Sequence, residues 1–121
     1  MVTGGLSNSW LKSVELWRAD GSHCNLPSLN ILRGYHTQSR LLVCGGSGGG
    51  GASTTCEKFS EGSWTTSHTL LNSRVYHVAW SGHPDGVLLM GGSDGGDKKS
   101  TELVSTSDSS TTASFTLDYE I

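Results

Sequence analysis

No stretch of this 121-residue chain approaches the ~20 consecutive apolar residues that a membrane-crossing helix needs. Positive charge is scarce too. Eight Lys and Arg stand against eleven Asp and Glu, giving a net charge of −3 and a pI near 5.9. A groove for nucleic acid is therefore not expected. The opening Met1-Val2-Thr3-Gly4-Gly5 has no basic residue and no apolar core, so no secretory signal is expected. Neither a Cys-x-x-Cys nor a His-x-x-x-His spacing occurs, which leaves no metal-ligand pattern and no expected cofactor. Apolar residues make up only 34%, below the usual range for a globular chain. Nor does any window hold a helical period; SVELWRA (13–19) comes nearest, and Gly21 argues against it.

What the chain has is glycine, 17 of them, and they recur in order. Gly4-Gly5, Gly45-Gly46 and Gly91-Gly92 lie 41 and 46 residues apart. Such a period calls for an alignment of repeats before anything else. Glu15, Glu57 and Glu102 then fall 10, 11 and 10 residues after the second glycine of each pair. Upstream, Arg33-Gly34-Tyr35-His36 matches Arg74-Val75-Tyr76-His77. Each unit reads as four strands. The first carries Arg-x-Tyr-His, and the second is an apolar run (LLVC, 41–44; VLLM, 87–90) ended by Gly-Gly. The third holds the Glu, and the fourth lies near 24–27, 63–68 or 114–117. Four strands in ~40–50 residues is the pattern of a propeller blade.

These residues resemble the kelch repeat. LLVCGG…TCEKF…GSW (41–64) fits that family's pattern well, VLLMGG…STELV (87–104) fits its first part, and MVTGG…SVELW (1–17) fits with its first strand missing. The resemblance implies an all-β fold: a kelch-type β-propeller fragment of about three four-stranded antiparallel blades, the first incomplete. The blades are expected at 1–30, 31–71 and 72–121. It further implies a non-catalytic module that binds a protein partner, in a ring usually of about five to seven blades. Three blades do not close a ring, so the missing ones are expected from a longer chain or from a homodimer. The alternative function is a piece of a kelch-type enzyme, an oxidase or a glycan-processing enzyme. Copper oxidases on such propellers need a Tyr–Cys pair and His ligands that cannot be matched here.

The glycine-rich turns admit other readings. Gly45-x-Ser47-x-Gly49 and Gly91-x-Ser93-x-Gly95 both spell a nucleophile elbow, which requires a helix after the serine. Gly46-x-Gly48-x-x-Gly51 spells a dinucleotide loop, which requires the same. The segments that follow, ASTTCEKF and DKKSTELV, read as strands, so both are rejected.

Recurrence assigns structural work to Gly45, Gly46, Gly91, Gly92, Glu57, Glu102, Arg33 and Arg74. The Glu is expected to accept hydrogen bonds from the Arg or from nearby backbone. Tyr35/His36 and Tyr76/His77 are expected to pack within blades. Cys44 and Cys56 lie on strands two and three of one blade; a cross-strand disulfide and three buried thiols, Cys24 included, both remain open. Binding is expected on the loops after strands two and four, at Ser47, Asp94, Asp97, Lys98 and Lys99, because variable loops on a rigid scaffold carry recognition.

Overall fold

The computed structural model describes residues 1–39, 41–48, 53–94, 96 and 98–118. Among them there is no helix. The fold is all-β: the described residues form eleven strands in three separate antiparallel sheets, none of them closed. Asp97 of the expected charged cluster lies outside the described residues.

The first sheet runs β1 (Val2–Leu6), β2 (Trp10–Trp17) and β3 (His23–Leu26) in that order. The second is β4 (Thr37–Ser39), β5 (Leu42–Cys44), β6 (Thr55–Ser60) and β7 (Ser63–Thr69). The third repeats that order with β8 (Val78–Trp80), β9 (Gly86–Met90), β10 (Ser100–Ser105) and β11 (Thr111–Thr116). Within each sheet consecutive strands pair. β5 is buried at every residue and β9 at all but Met90, which is why neither alternates polar with apolar.

The three sheets share one register. Val2 faces Glu15, Val43 faces Glu57 and Leu89 faces Glu102 across the ladder. One residue on, Thr3 faces Val14, Cys44 faces Cys56 and Met90 faces Thr101. The Cys44–Cys56 pair is a disulfide, and Cys24 is a free, half-buried thiol. Of the two alternatives open in the sequence, the register selects the bridge.

Two apolar layers hold the sheets together. Val14, Leu29, Val43 and Trp64 pack between the first and second. Leu42, Leu70, Val87, Leu89, Val104 and the disulfide pack between the second and third. The glycine pairs serve these junctions. Gly5 N–H donates to Arg33 O at 2.6 Å, and Gly46 N–H donates to Arg74 O at 2.8 Å, so each pair reaches the next sheet by its backbone. Gly45 has φ 67°, and a Cβ there would lie 2.7 Å from Arg74 O. Only glycine meets both demands.

One expectation is corrected. Arg-x-Tyr-His does not form the first strand; it precedes it. β4 begins at Thr37 and β8 at Val78, each just past the histidine. Tyr35 and Tyr76 turn to φ 55° and 58°, which breaks the extended path. The cause is that the flanking side chains bind elsewhere: the arginine inside its own sheet and the histidine against the preceding one.

Candidate binding face

Each arginine is clamped within its own sheet. Arg33 Nε donates to Glu57 Oε2 at 3.0 Å, its Nη1 to Gly45 O at 2.7 Å and Thr55 O at 2.9 Å, and its Nη2 to Thr55 Oγ1 at 2.8 Å. Arg74 repeats the set on Glu102, Gly91 O, Ser100 O and Ser100 Oγ. All four charged side chains are buried. Burial pulls the Arg33 guanidinium below its ordinary value, and Glu57 pulls it back. Each carboxylate also caps the chain entering its sheet. Glu57 accepts from Asn30 and Ile31 N–H, and Glu102 from Leu71 and Asn72 N–H. A buried ion pair is tolerable only when its remaining valences are met in this way. Glu15 differs: it is half-buried, and its Oε2 accepts from the Trp17 indole at 2.9 Å.

The histidines cross to the preceding sheet. His36 Nε2 lies 2.9 Å from Thr3 Oγ1, and His77 Nε2 lies 2.7 Å from Thr37 Oγ1. Thr3 already donates its hydroxyl proton to Gln38 Oε1, so His36 Nε2 carries the proton and donates. Burial first, then the Arg74 charge and that of His36, push the His77 imidazole down to about 4. His36 is lowered by burial and Arg33.

Between arginine and histidine the tyrosines point outward. Tyr35 is 43% exposed and Tyr76 is 62% exposed, with ring centroids 4.5 Å apart. Trp10 meets Tyr35 edge-on at 5.6 Å. The phenols were expected to pack within their units; instead they form an exposed aromatic row. Left-handed backbone at a residue with a Cβ costs of order 1 kcal/mol or more. The neighbouring buried arginine and histidine hold it there. This row is what the sequence reading missed, although the repeated tyrosine was its signal.

The expected binding loops border this row. Ser47 pairs with Gly34 by two backbone hydrogen bonds of 2.7 and 2.8 Å, and Ser93 pairs with Val75 by two of 2.9 Å. Gly34 and Val75 immediately precede the two tyrosines. Asp94 accepts from Lys98 Nζ at 2.9 Å and from Ser73 Oγ at 3.3 Å. The Lys98 bond, aided by Ser73, holds the Asp94 carboxyl below the usual range. Lys99 is exposed, and its carbonyl accepts from Leu117 N–H at the end of β11. Ser47 and Ser93 sit in antiparallel bridges, a setting unlike the strand-to-helix elbow of a serine nucleophile.

A concavity of about 460 Å³ opens at the other end of the strands, between the second and third sheets. Leu41, Leu42 and Val87 make its floor, with Lys58, His68 and Ser109 around it. His68 Nε2 donates to Ser105 O and Asp108 O, which fixes that loop over the cleft.

No protein-family model and no curated protein sequence matches the chain.

Proposed function

We propose that this chain is a run of kelch-type repeats from a β-propeller and that it serves as a protein-interaction module. Three antiparallel sheets in one register support the repeat reading, as do two junctions built alike: Gly5 N–H on Arg33 O, and Gly46 N–H on Arg74 O. The propeller reading entails further sheets, supplied by more chain or by a second copy. The binding surface is the aromatic row of Trp10, Tyr35 and Tyr76, with Ser47, Asp94, Lys98 and Lys99 on its border.

One observation carries the functional half. Two tyrosines stand exposed and in contact on left-handed backbone, their ring centroids 4.5 Å apart and their planes tilted by 37°. Exposed phenols in contact gain nothing for folding that burial would not give more fully. They suit a partner, because Tyr supplies large contact area with few rotamers to freeze. The partner fitted by such a surface is a protein with an apolar or arginine-bearing protrusion.

The test is capture of a partner by the native chain beside its Tyr35→Asn/Tyr76→Asn variant. Asn tolerates the left-handed backbone, so both forms should melt alike. The reading expects a protein recovered by the native chain and lost with the variant. Equal recovery by both forms would overturn it.

A further inference from the structure

Tyr35 and Tyr76 bring two phenols into contact at the surface, and neither ring belongs to an apolar layer. Their centroids stand 4.5 Å apart with the planes tilted by 37°. A carbon–carbon bond between two phenols leaves the ring centres at about this separation and the planes twisted. Both rings are open to reagents, with Tyr35 43% and Tyr76 62% exposed.

The backbone keeps the pair together. Tyr76 N–H donates to Tyr35 O at 3.1 Å, which ties the segment entering the third sheet to the one entering the second. The residue before each tyrosine is pinned, Gly34 to Ser47 and Val75 to Ser93, by paired backbone bonds. The residue after each is pinned as well, His36 on Thr3 and His77 on Thr37. Between these anchors φ values of 55° and 58° turn both side chains outward. Tyr35 is the one ring in contact with Tyr76 among the described residues.

We propose that Tyr35 and Tyr76 form an oxidative cross-linking site, joined as dityrosine by a one-electron oxidant of the haem peroxidase class that draws on hydrogen peroxide. Each phenol gives up one electron and its hydroxyl proton and becomes a phenoxyl radical, with spin on the ring carbons ortho to oxygen. The two radicals couple through one ortho carbon, a Cε, of each ring. Each coupled carbon releases its hydrogen as a proton, and a proton returns to each oxygen, which restores both aromatic rings. The chain loses two hydrogen atoms in all, and one peroxide is reduced to two waters. Separate phenoxyl radicals couple only on encounter. Here each radical has its partner already in place, so coupling is a step within one molecule.

The chain already carries one oxidative link, Cys44–Cys56, and such links persist in oxidising surroundings. The dityrosine bond would close a longer loop than that disulfide and join the second and third sheets. It would therefore restrict the unfolded chain as well as the folded one. The site needs no partner protein, and it stands whether or not the aromatic row binds one.

The test treats the whole chain, at low concentration, with a haem peroxidase and a stoichiometric amount of hydrogen peroxide. The intact mass should fall by two hydrogen atoms while the chain stays monomeric on a denaturing gel. Blue dityrosine fluorescence should appear, and peptide mapping should join Tyr35 to Tyr76. The linked chain should melt about 5 °C or more above the untreated one. Tyr35→Phe and Tyr76→Phe keep the rings and lack the hydroxyl that is oxidised. Each should melt near the native temperature and lower the yield about tenfold or more. Undiminished yield from either variant would overturn the proposal. So would a link formed mainly between two molecules, or one made to Tyr119, the third tyrosine of the chain, in place of the Tyr35–Tyr76 bond. Peroxide consumed with no loss of mass from the native chain would overturn it too.

Discussion

Arg33 and Glu57 meet at 3.0 Å with both side chains fully buried; Asn30 and Ile31 N–H donate to the carboxylate, and Gly45 O and Thr55 Oγ1 accept from the guanidinium. The carboxylate ties the segment entering the second sheet to β6, while the guanidinium ties β5 to β6 beyond the end of their ladder. Arg74 and Glu102 do the same in the third sheet at 2.7 Å. Breaking such a pair strands a charge without water, which costs about 3–5 kcal/mol. Glu57→Ala should therefore lower unfolding stability by that amount, as should Glu102→Ala. Glu15→Ala, with its exposed partner Trp17, should cost under about 1 kcal/mol. Urea unfolding of the three variants checks the contrast, and equal losses at all three sites would refute the distinction.

Glycine at the junctions is the next point of leverage. Gly45 combines φ 67° with an approach to Arg74 O that leaves no room for a methyl group. Gly21 has φ 87° but open space around it. Gly45→Ala should cost roughly 2–4 kcal/mol, from strain and overpacking together, and Gly21→Ala only about 1 kcal/mol. Thermal melts of the two variants separate the steric part from the conformational one.

Much of this was legible in the residues because it repeats. The glycine pairs, the three glutamates and the two arginines stand at matching offsets, and the paired ones meet in the structure. What a repeat cannot reveal is which way an element faces. Tyr35 and Tyr76 look like core residues beside a histidine, yet their neighbours take the buried positions and leave the rings outside. The strand start was misplaced for the same reason, since Arg33 and His36 are drawn out of the ladder by partners in two different sheets. The disulfide was undecided because adjacency alone fits a bridge and two thiols equally; only the register of Cys44 against Cys56 decides. Glu15 matched by offset, and its different partner follows from the first sheet having no Arg-x-Tyr-His segment among the described residues.

The Cys44–Cys56 bridge closes a short loop, with a sequence separation of 12. A loop of this length restricts the unfolded chain by about 3 kcal/mol on the chain-entropy account. Reduction should lower stability by roughly that amount. Cys44→Ala/Cys56→Ala should match the reduced protein and lose its response to reductant. Denaturant titration with and without reductant makes the comparison, and an unchanged midpoint would exclude the bridge from the native chain.

Acid should loosen the junction between the second and third sheets first. His77 is neutral in the fold, with its pKa pushed to about 4 against an ordinary 6.5, chiefly by burial and then by Arg74. The unfolded chain therefore binds the extra proton between those values and the folded chain does not. Stability from this group is complete above pH ~6.5 and declines as pH falls toward 4, by up to roughly 3 kcal/mol. His36 is shifted in the same direction, so the two histidines act together. His77→Gln keeps a donor for Thr37 and cannot take up a proton. It should start less stable at pH 7 yet lose less between pH 6.5 and 4.5. Parallel stability curves for the native chain and H77Q across that interval would show that the imidazole is not the group that senses acid.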